Sequence, residues 1–275
     1  MYNNIMKPRD DKRSHLAFIE RGTGPVVLLV HGFPLDHSMW DAQIESLGQT
    51  HRVIAPDLRG FGRSRVVPGT ATMDQMADDL AEVLDALDVR EPVALVGLSM
   101  GGYVAMAFCR KHAARVGALV LCDTRAAADA PEAAQTRSET ARRVLAEGTE
   151  SLVEAMIPKL FAPNTFEDGP EAVERVKAMI RRADPRGVAA ALLGMAQLPD
   201  STDVLSRLDR PTLMLVGEHD VLSPPAEMRA MADAMPNASV VEIAAAGHLS
   251  PMERPDAVSD AIARFLTECG IATRS

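Results

Sequence analysis

Residues 97–102 read Gly97-Leu98-Ser99-Met100-Gly101-Gly102, a serine framed by glycines at the spacing G-x-S-x-G. That frame suits a nucleophilic hydroxyl. On a sharp strand-to-helix turn the flanking residues crowd one another, and glycines at 97 and 101 remove the side chains that would clash. The Ser99 hydroxyl then stands exposed above the sheet, while Gly102 and Ala105 let the following helix pack close. The Met100 N–H, at a helix amino terminus, can face a developing oxyanion. The bland alternative is a tight turn that merely happens to be rich in small residues.

A hydroxyl is a weak nucleophile near neutrality and needs a base, itself oriented by a third group. Among seven histidines, His248 in Ala246-Gly247-His248-Leu249-Ser250-Pro251 follows the last expected strand, in a loop that can swing it over Ser99. His219 lies in Gly217-Glu218-His219-Asp220. His31 ends an apolar run, and its side chain is expected to pack beneath the loop. His15, His51 and His112 occupy charged or edge positions and are expected to be solvated. For the acid, Asp220 lies upstream of His248, and the order Ser99, Asp220, His248 is the one expected for this elbow. Asp123, at the end of the strand after the elbow helix, is the rival. Glu218 and Asp57 are expected to be turn or surface carboxylates. A second oxyanion donor should come from His31-Gly32-Phe33-Pro34, where the Phe33 N–H is the candidate and Pro34 stiffens the turn.

Positioning these groups requires strands that end near one another. Short apolar runs alternate with longer helical patterns, the mark of an α/β protein with a mostly parallel sheet flanked by helices. Strands are expected at His15–Glu20, Val26–Val30, Arg52–Ala55, Pro92–Leu98, Val116–Cys122, Pro211–Val216 and Ser239–Ile243. Helices are expected at Thr72–Leu87, Met100–Lys111, Arg229–Met235 and Asp256–Leu266. The alternation breaks between about Thr124 and Arg207, where Pro131, Pro158, Pro163, Pro170, Pro185 and Pro199 punctuate helical patterns. The simplest organisation is a core domain of residues 1–123 and 205–275 with a helical lid, residues 124–204, inserted between two strands. Such an insertion at the carboxyl ends of the strands would roof the site; a second helical domain remote from the chemistry is the alternative. Met156 and Met195 in the insertion are candidates for an adaptable apolar pocket wall.

Composition narrows the function further. With 275 residues, 47% hydrophobic and 24% charged, the chain can build a core without disulfides or metal. The formal charge of −9 and the lack of a basic stripe would repel a phosphate backbone, so no nucleic acid is expected. The aliphatic run Val26–Val30 falls far short of the roughly 18 residues a membrane span needs. The opening MYNNIMKPRDDKRSH is charged where a signal peptide would be apolar, and a cytoplasmic location is expected. Three cysteines, Cys109, Cys122 and Cys269, have neither disulfide-framework nor zinc spacing. Gly60-Phe61-Gly62-Arg63-Ser64-Arg65 lacks the third glycine of a dinucleotide fingerprint, no P-loop occurs, and no His/Cys/carboxylate cluster has metal-ligand spacing along the sequence. No cofactor and no metal are expected.

Taken together, His31-Gly32-Phe33-Pro34, Asp57-Leu58-Arg59-Gly60-Phe61-Gly62-Arg63-Ser64, the Ser99 elbow, Gly217-Glu218-His219-Asp220 and Gly247-His248 resemble the α/β-hydrolase superfamily over nearly the whole chain. Within it the chain is similar to small cofactor-free serine esterases, 3-oxoadipate enol-lactonases and cofactor-free haloperoxidases. Haloalkane dehalogenases and epoxide hydrolases carry an aspartate where this chain has Ser99. The lid tyrosine pair of epoxide hydrolases is also missing, since the two tyrosines are Tyr2 and Tyr103. The resemblance implies a carboxylesterase acting on small esters through an acyl-enzyme, with Ser99, His248 and Asp220 as triad and the Phe33 and Met100 N–H groups as oxyanion hole. A lactonase is the alternative, perhydrolysis a side activity, and a hydrolase-like sensor of a small molecule a third reading. The oligomeric state is not legible.

Overall fold

The computed structural model describes residues 15–271; the charged opening stretch and Tyr2 lie outside them. Seven strands form one sheet: β1 Phe18–Arg21, β2 Val26–Val30, β3 Arg52–Pro56, β4 Val93–Leu98, β5 Val116–Cys122, β6 Thr212–Gly217 and β7 Ala238–Ile243, in the order β1-β3-β2-β4-β5-β6-β7. All neighbours run parallel except β1, which pairs antiparallel with β3 on the edge. β4 (VALVGL) and β6 (TLMLVG) are buried along their whole length. Helices cover both faces of a parallel sheet, so its strands read as continuous apolar runs. β7 is the other edge, and its exposed alternate residues explain its weaker apolar signal.

Twelve helices accompany the sheet among the described residues: α1 Asp41–Leu47, α2 Met73–Ala86, α3 Met100–His112, α4 Pro131–Glu147, α5 Glu150–Leu160, α6 Thr165–Asp168, α7 Pro170–Arg182, α8 Pro185–Met195, α9 Thr202–Ser206, α10 Pro225–Asp233, α11 Ser250–Glu253 and α12 Pro255–Glu268. The expected Thr72–Leu87 helix is α2, opened by a capping box. The Thr72 hydroxyl accepts the Gln75 N–H at 3.2 Å, and the Gln75 side chain accepts the Thr72 N–H at 3.0 Å. Most boundaries shift by one or two residues from expectation, and two shift by more. The first strand starts at Phe18 rather than His15. The helix expected at Arg229–Met235 begins earlier, at Pro225, because proline's fixed φ and missing N–H suit a first helical turn.

Helices α4–α9 all lie between β5 and β6, and no strand interrupts them among the described residues. Their prolines are mostly openers: Pro131, Pro170 and Pro185 stand in first turns, whereas Pro158 lies inside α5. The insertion rests directly on the strand-end loops. On α8 a Cβ added at Gly187 would come within 1.9 Å of the Gly60 carbonyl oxygen, and one at Gly194 within 1.8 Å of that of Ala71. Between them the Ala71 N–H donates to the Ala190 carbonyl at 3.0 Å. Arg182 of α7 reaches Asp36 at 2.6 Å, and Arg175 pairs with Asp41 of α1.

Candidate active site

Ser99 follows β4 and precedes α3, with φ 53° and ψ −115°. A non-glycine residue held there stores about 1–3 kcal/mol of strain, which persists only where the surroundings over-determine it. They do so through close backbone contacts. A Cβ at Gly97 would lie 2.3 Å from the Gly101 carbonyl oxygen, and one at Gly101 would lie 2.2 Å from that of Val30. The Ser99 N–H donates to the Cys122 carbonyl at 3.0 Å and the Thr124 hydroxyl to the Ser99 carbonyl at 2.9 Å. The serine is thereby locked to β5 as well as to its own strand.

His248 arrives from the loop after β7, and its Nε2 lies 2.8 Å from the Ser99 Oγ. Its Nδ1 lies 2.8 Å from Oδ2 of Asp220, in the turn after β6. A carboxylate can only accept, so Nδ1 carries the proton and Nε2 is left to accept from the Ser99 hydroxyl. Asp220 is fixed by its own turn, its Oδ1 accepting the N–H groups of Leu222 at 2.8 Å and Ser223 at 3.0 Å. Asp220 and His248 are both buried. Hydroxyl, imidazole and carboxylate thus form one continuous hydrogen-bonded line from three separate strand ends.

Asp123, the rival acid, does not reach the imidazole. One of its oxygens accepts the Gly217 N–H at 2.8 Å, and the other pairs with the Ser250 hydroxyl at 2.5 Å. Burial, reinforced by the nearby Asp220 carboxylate, pushes its carboxyl well above the usual range, which favours its neutral form. The Phe33 and Met100 amides face no protein acceptor among the described residues. Phe33 stands in the loop after β2 with its ring edge-on to Phe61, centroids 6.2 Å apart, and the buried Met100 opens α3.

The remaining candidates sort by their partners. The His31 imidazole is buried, accepting the Leu58 N–H at 2.9 Å and donating to the Gly32 carbonyl at 2.9 Å; burial lowers its pKa, and its role is to hold the loop. Two expectations need correcting. His51 is buried rather than solvated, bonded to the Thr50 hydroxyl and the Ile271 carbonyl, each at 2.8 Å. Asp57 is no surface carboxylate: it is buried and accepts the His37 N–H and ring at 2.9 and 2.7 Å and the Arg63 N–H at 2.9 Å. The glycine turn that supplies Arg63 closes over that carboxylate. Met156 is half-buried in α5, and Met195 is buried at the end of α8 with its sulfur 3.5 Å from Arg137.

Among the described residues one cluster has ligand atoms close enough to hold a metal ion, Asp36, His37 and Asp57, all within 4.8 Å of one another. Its oxygens are already engaged by protein donors, including the Ser38 hydroxyl at 2.5 Å and Arg182 at 2.6 Å on Asp36. Burial opposes charge at both His37 and Asp57, but their mutual pairing prevails, raising the first pKa and lowering the second. The cluster is an internal hydrogen-bonded network, and its Asp36–Arg182 ion pair ties a strand-end loop to α7. Sequence reasoning passed over His37 and also Glu253, whose buried carboxylate bonds residues on both sides of the site. The available signal was a carboxylate directly after the apolar pair in Pro251-Met252-Glu253.

The sequence model of the alpha/beta hydrolase fold matches residues 25–255. The chain is 52% identical to a thermophilic esterase from Thermogutta terrifontis, solved with malate bound, with a TM-score of 0.92 over 98% of this chain and 99% of that one. It is 30% identical to the enol-lactonase from Burkholderia xenovorans, with a TM-score of 0.85 over 92% and 96% of the two chains. It is 26% identical to 3-oxoadipate enol-lactonase 2 of Acinetobacter baylyi over 86% of this chain and 87% of that protein. With a mostly parallel seven-stranded sheet and a serine elbow at the end of its central strand, the chain belongs to the α/β-hydrolase fold family and is a hydrolase.

Proposed function

We propose that the chain is a carboxylesterase that cleaves small esters through an acyl-enzyme on Ser99. The observation that carries this reading is the unbroken line Ser99 Oγ, His248 Nε2, His248 Nδ1, Asp220 Oδ2, with 2.8 Å at each hydrogen bond. As the hydroxyl attacks the ester carbonyl, His248 takes its proton, and Asp220 orients and stabilises the imidazolium. The carbonyl oxygen becomes an oxyanion, held by the Phe33 and Met100 N–H groups; one such donor is worth about 2.7–4 kcal/mol in the transition state. The imidazolium protonates the leaving alcohol. Water, activated by the same imidazole, then attacks the acyl-enzyme and releases the acid and free Ser99.

Residues 124–204 act in this reading as a lid over the acyl and alcohol pockets, with Met156 and Met195 in the pocket wall. Only two aromatics, Phe161 and Phe166, occur in that segment, which favours a modest apolar pocket and short-chain or small cyclic substrates. Similarity to two enol-lactonases supports a lactone as the second reading. The three free thiols, Cys109, Cys122 and Cys269, support a cytoplasmic setting. The test is a panel of p-nitrophenyl acetate, butyrate and longer esters with small lactones, run beside Ser99→Ala. Turnover should be highest on short esters and fall at least about a thousandfold in the variant. Full activity without Ser99 overturns the proposal, and a preference for long chains overturns the pocket size.

A further inference from the structure

Glu253 lies outside the reacting groups, yet its carboxylate joins the loop that carries His248 to the helical insertion. Its Oε1 accepts the Gly247 N–H at 2.7 Å. Its Oε2 accepts the Ala162 N–H at 2.8 Å and the Thr165 hydroxyl at 2.6 Å. On the other side of His248, the Leu249 N–H donates to the Leu160 carbonyl at 3.2 Å. Both neighbours of the histidine are therefore bonded to the 160–165 corner or to the carboxylate that grips it. The contact is tight as well as polar, since a Cβ at Gly247 would lie 2.6 Å from the Ala162 nitrogen. The Glu253 N–H also donates to the Leu249 carbonyl at 3.0 Å, which closes residues 249–253 into one compact turn.

We infer that Glu253 is a positioning residue: by clamping the His248 loop to the 162–165 corner of the insertion, it aligns the imidazole with Ser99 only while that corner is seated. The inference rests on the triad proposed above. The chemistry demands a carboxylate. Three donors converge on one buried side chain, and only a carboxylate offers two oxygens with no donor of its own. Glutamine would turn an NH₂ group against either the Gly247 N–H or the Ala162 N–H, leaving an unsatisfied buried donor whichever way it is placed. Proton transfer depends on sub-ångström placement of the base, so a loosened loop lowers the rate of the chemical step more than it weakens substrate binding.

The experiment compares wild type, Glu253→Gln, Thr165→Val and Ser99→Ala on p-nitrophenyl butyrate, together with the downfield proton resonance of the His248 Nδ1–H···Asp220 bond. Glu253→Gln should lose at least about tenfold in kcat with KM changed less than about threefold, and its downfield resonance should shift or broaden. Thr165→Val, which removes one of the three donors and none of the reacting groups, should move both readouts in the same direction by less. It decides the matter if Glu253→Gln does not fold. Wild-type kcat and an unmoved resonance in the folded variants overturn the inference while leaving the triad intact, as does a fall in thermal stability alone. A Ser99→Ala variant that still turns over is a different failure, because it removes the triad on which Glu253 would act.

Discussion

Asp123 and Asp220 follow the neighbouring strands β5 and β6, yet only Asp220 meets the imidazole, at 2.8 Å. Asp123 is spent on the Gly217 N–H and the Ser250 hydroxyl, and burial with the nearby Asp220 carboxylate favours its neutral form. Replacing each acid by its amide separates them. Asp220→Asn should cut kcat by about 10⁴, because the amide favours the wrong imidazole tautomer. Asp123→Asn should keep kcat within about fivefold, since it substitutes one neutral group for another. The sign of the pH effect follows from the raised pKa of Asp123. The native state resists ionising it, so wild-type stability falls as pH rises above the ordinary carboxylate range, and Asp123→Asn should lose less over that interval. Comparable loss of kcat in both variants would contradict the assignment. Ser99, Asp220 and His248 were legible because each sits in a short local pattern next to a strand end. Glu253 was not, because its partners Ala162 and Thr165 lie 91 and 88 residues away and no local spacing announces them.

Among the elements, α8 shows how a helix can be positioned by what it lacks. Gly187 and Gly194 are seven residues apart, two turns, and so share one face. That face meets the Gly60 and Ala71 backbones at distances that admit no side chain. Glycine in a helix interior costs about 1 kcal/mol relative to alanine, yet here it permits the insertion to sit on the loops that frame the site. Gly194→Val should therefore destabilise the protein by about 1–3 kcal/mol in urea unfolding. A variant as stable as wild type would show that α8 does not depend on this approach. In sequence the pair resembles a weakened helix, since nothing local identifies a neighbouring backbone. By contrast, β4, β5 and β6 were plain as apolar runs, because strands buried on both faces have no polar alternation to confuse the pattern. The start of α10 is not legible from apolar spacing because it is set by Pro225.

At the scale of the whole molecule, the sheet brings the ends of β2, β4, β5, β6 and β7 together, and every group assigned to the reaction lies at or just beyond one of them. The parallel order of the strands is what lets residues 121 and 149 positions distant from Ser99 meet it at one rim. The core strands could be anticipated from the alternation of apolar runs and helices. How the insertion seats itself could not, because its anchors are long-range pairs such as Arg182 with Asp36 and Arg175 with Asp41. Among the described residues no helix is long and apolar enough to cross a membrane. The proposed function requires that this rim make Ser99 the one activated hydroxyl. Its most direct test is to react the protein with an alkyl phosphonate ester and locate the adduct by peptide mass mapping. Stoichiometric labelling at Ser99 should inactivate the enzyme, be absent in Ser99→Ala and be slowed severely in His248→Ala. Inactivation with the label on another residue, or rapid labelling of Ser99 without His248, would contradict the proposed function.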